Sequence, residues 1–177
     1  MHERCAGVIG ARRTAVLLRR GYARLALQML VIAAAAWLLL TQVFLIAQVR
    51  GGDMDPALRD GDLLLAFRLQ GSYAQDDVVL YTAGGQRRVG RVVAREGDVV
   101  SLDESGALSV NGTTQSARIF YATYAKEGLD YPVQVGPGCV FILGDHRTQA
   151  EDSRDFGPVP VADVQGKIIT ILRRQGL

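Results

Sequence analysis

One uncharged segment limits what this chain can fold into more than any other feature. No charged residue occurs between Leu25 and Val49. A helix of that length spans about 37 Å, which is enough to cross a hydrocarbon layer of about 30 Å with some tilt. The run is longer than the apolar core of a cleaved signal peptide, and no clear small-residue cleavage site follows it. We therefore expect an uncleaved transmembrane helix over residues 25–49, in preference to a buried core helix of a soluble protein.

The charges on either side of this segment predict its direction. Residues 1–24 carry six arginines against one acid, Glu3, whereas residues 50–177 carry 14 basic and 17 acidic residues. Basic residues flank membrane helices mainly on the cytoplasmic side. Residues 1–24 are therefore expected in the cytoplasm, and residues 50–177 outside the plasma membrane. The net charge of −3 over residues 50–177 argues against nucleic-acid binding by that part of the chain.

Cysteine and histidine are too few for a disulfide framework or a metal site built from these residues. The two cysteines, Cys5 and Cys139, are predicted on opposite sides of the membrane and cannot pair within one molecule. Cys139 begins an apolar run and is expected to be a small buried hydrophobic side chain. His2 and His146 are the only histidines, and we expect no metal and no other cofactor.

The rest of the chain has the pattern of an all-β domain. Short runs rich in β-branched residues alternate with Gly and Asp turn signals, which favours a barrel or a folded-over sheet. Residues 103–112 predict a hairpin, because Glu104-Ser105-Gly106 lies between two such runs. The predicted strands are Leu63–Phe67, Val78–Tyr81, Gln86–Arg95, Val99–Leu102, Leu108–Val110, Ile119–Tyr124, Cys139–Leu143 and Lys167–Leu172.

Three stretches of this domain carry recognisable motifs. Residues 53–56 read Asp-Met-Asp-Pro, and residues 90–98 read GRVVAREGD. Residues 144–160 contain Gly-Asp-His-Arg, followed by Asp-Ser-Arg-Asp-Phe-Gly-Pro-Val-Pro. Together they resemble type I signal peptidases, the membrane-bound Ser/Lys proteases that remove leader peptides from exported proteins. The resemblance extends from residue 53 to about residue 169 and implies a folded β-sheet domain behind a membrane anchor.

The resemblance also locates three departures from the family pattern. The family's nucleophilic Ser corresponds to Asp53, its general-base Lys to Gly90, and the supporting Ser that hydrogen-bonds this Lys to Ala150. A Ser/Lys protease needs a hydroxyl to attack the carbonyl and an uncharged amine to accept its proton. Neither group is present at these positions, so the catalytic site is predicted to be degenerate.

The residues around these positions are retained. The resemblance implies that the peptide groove is walled by residues 63–67 and 86–93. Substrates of the family add as a β-strand, and this binding mode needs neither the Ser nor the Lys. His146 replaces the usual Asn of the last motif. The implied groove and scaffold residues are Met54, Pro56, Val89, Arg91, Asp145, Arg147, Asp152, Ser153 and Arg154.

Two interpretations of the function remain open. The first is a non-catalytic accessory or chaperone in pilus or surface-protein assembly, or elsewhere in export. SipA-like members of the family, linked to sortase-assembled pili, lack the same catalytic pair; the partners would be exported or pilin polypeptides and a sortase. The second is an active signal peptidase that uses unrecognised residues, for example an aspartic pair of Asp53 with Asp55, Asp145 or Asp152. Asp152 is more simply the ion-pair partner of Arg154 or Arg147.

Overall fold

The computed structural model describes residues 2–115 and 121–173, with side chains from residue 21 onward. The chain divides into two compact units, Met1–Gln42 and Val43–Leu177. The first is part of a single helix, α1 (His2–Val43), whose portion Gly21–Val43 is long and apolar enough to cross a membrane. The second is a mostly β domain. The predicted fold class, an all-β domain with one N-terminal apolar helix, is confirmed.

The predicted end of the helix at Val49 is wrong. Helix α1 ends at Val43, and the next residues form β1 (Phe44–Gln48), which pairs antiparallel with β2 (Leu63–Phe67). A continuous apolar run suits a strand within a sheet as well as it suits a helix. Hydropathy alone therefore did not mark the change from helix to strand.

The β domain consists of two antiparallel sheets. Its other strands are β3 (Val78–Ala83), β4 (Gln86–Arg95), β5 (Val99–Leu102), β6 (Leu108–Val110), β7 (Thr113–Thr114), β8 (Val133–Gln134), β9 (Cys139–Leu143), β10 (Val159–Pro160) and β11 (Val164–Leu172). The larger sheet has the strand order β1-β2-β11-β3-β4-β9-β10, and the smaller has the order β7-β6-β5-β8. A short helix, α2 (Ser153–Phe156), and a 3-10 turn at Val161–Asp163 flank β10 in the sequence.

The predicted strands agree with the observed ones, with one exception. Strands β5 and β6 pair with Leu102 opposite Leu108, which confirms the hairpin. The exception is Ile119–Tyr124, of which residues 119 and 120 lie outside the described residues and residues 121–124 form no strand. The reason is that the backbone N of Thr123 donates to the carbonyl of Gly106, in a loop, rather than to a neighbouring strand.

The central strands are buried on both faces. On β9, Val140 and Ile142 belong to one apolar cluster, whereas Phe141 and Leu143 belong to a second. Successive side chains of a strand point to opposite faces, so burial of both faces explains why this run is apolar at every position. Cys139, at the start of the run, is a free and partly buried thiol packed against the second cluster.

A third apolar cluster holds the segment on which the candidate site begins. Met54 and Leu58 are each 1% exposed, and they pack with Val49 and Leu64. The ends of this segment are joined, because the backbone N of Val49 donates to the carbonyl of Asp62 at 2.9 Å. The residue before Met54 is thereby fixed next to a buried core.

Candidate functional site

Asp53 lies where two distant parts of the chain meet. Its carbonyl oxygen accepts a hydrogen bond from the backbone N of His146 at 2.9 Å. A Cβ placed on Gly144 would lie 2.6 Å from the same oxygen, so the approach depends on a glycine at this position. The structure therefore brings the position predicted for the nucleophile against residues 144–155.

The Asp53 carboxyl is in a partly buried environment of mixed charge. Burial has the largest influence and raises the pKa of Asp53 above its ordinary value of 3.8. The Arg88 charge lowers this pKa, whereas the charges of Glu151 and Asp152 raise it, and Lys126 has a smaller lowering effect. Asp53 therefore shares its surroundings with both cations and anions.

Gly90 is buried in β4 and has no space for a larger side chain. A Cβ at this position would lie 2.5 Å from Cγ2 of Ile142, 3.2 Å from the Tyr81 ring and 3.3 Å from the Leu143 carbonyl oxygen. Ile142 is fully buried and branched at Cβ, so its methyl group has little freedom to rotate away. Position 90, predicted from the sequence to correspond to the family's Lys, is therefore closed by core side chains.

Tyr81 was missed by the sequence reasoning. It lies opposite Arg88 in the β3–β4 register, is 1% exposed, and belongs to the same apolar cluster as Ile142. Burial raises the pKa of Tyr81, and the charge of Asp152 raises it further, so the phenol remains protonated at neutral pH and is not a base. Its contact with position 90 depends on strand register, for which no local sequence pattern provides a signal.

Ala150 is fully buried, and its Cβ contacts Gly144. Its carbonyl oxygen accepts a hydrogen bond from Nζ of Lys126 at 2.6 Å, and the same Nζ contacts the carboxylate of Asp155 at 2.7 Å. Lys126, also missed by the sequence reasoning, therefore joins residue 150 to residue 155.

The last motif forms a buried polar network. Asp152 accepts hydrogen bonds from Nε and Nη2 of Arg154, each at 2.9 Å, and from the backbone N of Gly144 at 3.0 Å. The same carboxylate caps the N-terminus of α2. The Ser153 hydroxyl accepts a hydrogen bond from the backbone N of Ile142 at 2.9 Å. These contacts attach the motif to β9 and pair the buried charges of Asp152 and Arg154.

Two other retained arginines have partners of their own. Arg91 donates two hydrogen bonds to Asp145, at 2.8 and 2.6 Å, in the bidentate geometry that suits a guanidinium and a carboxylate. Arg147 is 1% exposed and donates to the Thr123 hydroxyl at 2.9 Å. Burial lowers the pKa of Arg147 to about 10. Arg147 is thus held by a neutral partner and is not the residue that pairs with Asp152.

The geometry does not support an aspartic pair. Asp145 and Asp152 are each occupied by an arginine. Asp55 lines a separate pocket, with Arg59 and His146, whose lining does not include Asp53, whereas an aspartic pair shares a proton at about 3 Å. Over residues 21–115 and 121–173, the structure contains no group of three or more His, Cys, Asp or Glu that could hold a metal ion.

A cleft of about 610 Å³ opens beside Asp53. One wall is formed by residues 47–50, at the end of β1, and the other by residues 86–89, at the start of β4. Leu80 also lines the cleft. This volume is in the usual range for ligand sites in proteins, so the cleft is the candidate binding site.

The predicted groove residues differ in their position relative to this cleft. Met54 and Val89 line it, as expected, whereas Pro56 is exposed and lies outside its lining. The reason is that the chain turns back after Met54, where the backbone N of Leu58 donates to the Met54 carbonyl at 2.9 Å. Pro56 lies in this turn and does not line the cleft.

Two strand edges beside the cleft lack a partner in the described part of the chain. β1 is first in the strand order and covers β2, so the expectation that Leu63–Phe67 forms a wall of the groove is wrong. β4 pairs with β3 from residue 86 onward, but with β9 only from Arg91 onward. Residues 86–90 therefore have one unpaired side, whose backbone groups are available to an added strand.

Comparison with known proteins assigns the chain to a family. The family profile described as "Signal peptidase, peptidase S26" matches residues 22–172. The chain is also 30% identical over 137 residues to Signal peptidase I of Bacillus caldolyticus, a match that covers 68% of this chain and 74% of that protein. This chain belongs to the signal peptidase S26 family.

Other relatives of this S26 chain carry different names. It is 26% identical over 154 residues to the "Inactive signal peptidase IA" of Staphylococcus aureus, covering 77% of this chain and 84% of that protein. The chain is 38% identical over 82 residues to the "Probable thylakoidal processing peptidase 2, chloroplastic" of Arabidopsis thaliana. This match covers 45% of the chain and 21% of that protein. The structure also matches the crystal structure of a signal peptidase I from Enterococcus faecalis V583, with 26% identity and a TM-score of 0.47. This match covers 56% of this chain and 97% of the Enterococcus chain.

Proposed function

We propose that this chain is a non-catalytic member of the S26 family, which binds exported polypeptides in the cleft and acts as an accessory in pilus or surface-protein assembly. The observation that carries the proposal is the closure of position 90 by Ile142 and Tyr81. A lysine amine at this position would displace buried core side chains, and Asp53 supplies no hydroxyl. The cleft and its unpaired strand edges are then the features that remain useful.

The alternative is an active signal peptidase that works through other residues. Relatives named as peptidases, such as that of Bacillus caldolyticus, favour this alternative. Peptide-bond cleavage of this kind needs a nucleophile and a proton acceptor within reach of the bound peptide. Among the residues that line the cleft, Asp53 alone has a side chain of either kind, and one carboxylate does not fill both roles.

A cleavage assay distinguishes these two functions. The purified full chain, in detergent, is incubated with a precursor that carries a signal peptide, alongside a Ser/Lys signal peptidase that shows the substrate to be competent. We expect no product above background from the wild-type chain or from Asp53→Ala. Cleavage that disappears in Asp53→Ala would support the aspartic alternative, and cleavage by both proteins would reject the non-catalytic proposal.

We further propose that the chain lies in the plasma membrane with its N-terminus in the cytoplasm and its β domain outside. The proposal is supported by the apolar helix portion Gly21–Val43 and by the six arginines that precede residue 25. Protease added to intact, wall-stripped cells is expected to digest the β domain. Full protection of that domain, or a mature N-terminus near Arg50, would contradict this topology.

Crosslinking in living cells tests the accessory role. A photoreactive residue at Val89, which lines the cleft, is expected to capture a pilin, a sortase or another exported protein. The same residue at Ala162, which is exposed and outside the cleft, is the matched control. If deletion of the gene blocks surface assembly while position 89 captures nothing, another face makes the contact and binding in the cleft is rejected.

A further inference from the structure

The cleft is positively charged although the β domain is not. Residues 50–177 have a net charge of −3. The residues that line the cleft nevertheless include three arginines and a single acid, Asp53. A local excess of positive charge in a concave site attracts negatively charged ligands. The lining therefore favours a ligand with an acidic group.

Arg50 and Arg87 carry the positive charge that has no partner. They lie on opposite walls of the cleft, since Arg50 follows β1 and Arg87 is the second residue of β4. Both are exposed, and neither makes an ion pair with any residue that the structure describes. Arg88, by contrast, is paired with Glu151 and lies 5.9 Å from the centre of the Phe156 ring. Two guanidinium groups are thus available to a ligand between the walls.

The backbone around these arginines favours a polypeptide as that ligand. Residues 86–90 have an unpaired strand side, to which an extended chain can add through main-chain hydrogen bonds. Arg87 and Val89 are two residues apart on β4, so their side chains lie on the same face of the strand, and both line the cleft. In an added strand, two side chains on the same face would therefore lie next to Arg87 and Val89, one beside a charged residue and the other beside an apolar one. A lipid headgroup would use the arginines but not the strand edge.

We propose that the cleft selects extended polypeptide segments that carry an acidic side chain between Arg50 and Arg87. This inference rests on the peptide binding proposed above and adds the chemistry of the bound segment. Because both guanidinium groups are exposed to solvent, the acidic side chain contributes a modest factor of about three- to tenfold in affinity, which weakens at high salt.

Binding of matched short peptides to the full chain in detergent tests this selectivity. The probes are fluorescent peptides of Ala and Val, blocked at both ends, that differ only in a central Glu, Gln or Lys; blocked ends exclude binding through a terminal carboxylate. We expect the Glu peptide to bind about three- to tenfold more tightly than the Gln peptide at low salt. The Lys peptide is expected to bind most weakly.

Three variants assign the selectivity to named residues. Arg50→Gln and Arg87→Gln are each expected to reduce the preference for the Glu peptide, and Arg87→Glu to shift it towards the Lys peptide. Arg95→Gln is the matched control, because Arg95 is exposed on the same strand but lies outside the cleft. An equal loss in Arg95→Gln would show a general effect of charge and would overturn the proposal.

The outcomes separate this inference from the peptide-binding function itself. Equal binding of the Glu, Gln and Lys peptides would overturn the inference while leaving peptide binding in place. Failure of all three peptides to bind would reject both. Binding of a soluble short-chain phosphatidylglycerol that is lost in Arg50→Gln and Arg87→Gln, without selectivity among the peptides, would assign the arginines to a lipid headgroup and would also overturn the inference.

Discussion

Two neighbouring regions of the β domain differ in what they have kept. Residues 144–155 retain a buried ion pair, Asp152 with Arg154, whose two members are at most 2% exposed and joined by two hydrogen bonds. The adjacent positions Asp53 and Gly90, predicted from the sequence to correspond to the family's Ser and Lys, have neither a hydroxyl nor an amine. A buried polar network thus lies beside two positions at which we propose that catalysis is absent.

The difference separates two kinds of physical constraint. A buried ion pair has to be kept whole, because removal of one partner leaves an unpaired buried charge. Position 90 carries no charge that needs a partner, and core side chains pack closely around it, as is usual in densely packed protein interiors. Family motifs in residues 144–160 therefore indicate the fold. Whether the protein is active depends on the side chains at the catalytic positions themselves.

The largest effect is expected from breaking the retained region. Asp152→Ala leaves the Arg154 guanidinium buried without its carboxylate, and we expect the free energy of unfolding of the full chain to fall by about 3–5 kcal/mol. Chemical denaturation in detergent, followed by circular dichroism, measures this change. Glu151→Ala is the matched control one residue away, since its side chain is 66% exposed and exposed pairs contribute at most about 1 kcal/mol. Similar losses in both variants would show that the polar network does not hold this region.

A smaller effect is expected from placing a lysine at position 90. Gly90→Lys forces side-chain atoms against Ile142 and Tyr81, and overpacking of this kind costs about 1–3 kcal/mol. Gly71→Lys is the matched control, because nothing lies within 4 Å of a Cβ at Gly71.

A double-mutant cycle assigns this cost to a specific side chain. Gly90→Lys combined with Tyr81→Ala is expected to lose less stability than the sum of the two single losses, by on the order of 1 kcal/mol. Additive losses would show that the Tyr81 ring is not what closes position 90. Because the position is closed, Asp53→Ser with Gly90→Lys is expected to give at most weak cleavage of a signal peptide.

The smallest effect is expected from neutralising Asp53. Burial raises the pKa of this carboxyl on folding, so the folded state binds its proton more tightly than the unfolded state does. Stability is therefore lost as pH rises from the ordinary value of 3.8 through the raised pKa. Asp53→Asn removes this loss, and we expect a higher melting temperature than wild type at neutral pH, with the difference shrinking as the pH falls towards 3.8. A difference that does not change with pH would indicate a packing effect instead.

The sequence predicted the strands well where local pattern is sufficient. β4 and β9 have the predicted bounds, because each is a β-rich run between turn signals. The boundary between α1 and β1 was not predicted, since both elements are apolar and the change of period occurs within one run. Short strands such as β8 (Val133–Gln134) are too brief to show a period.

Motif spacing predicted the positions of the candidate site but not their surroundings. The assignment of the family's catalytic positions to Asp53, Gly90 and Ala150 stays a prediction. The side chains around these positions were not predictable from the sequence. The contact of Tyr81 with position 90 depends on how β3 and β4 pair, and Lys126 contacts residue 150 although the two are 24 positions apart in the chain. Contacts of this kind depend on the folded structure and have no local signature.

The most direct test of the central claim, that the cleft binds polypeptides without cutting them, is the mass of what it captures. The purified full chain, with a photoreactive residue at Val89, is mixed in detergent with a precursor that carries a signal peptide and is then irradiated. Mass spectrometry of the adduct is predicted to show the intact precursor joined to the chain. An adduct with a cleaved fragment would contradict the loss of catalysis, and the absence of any adduct would contradict binding in the cleft.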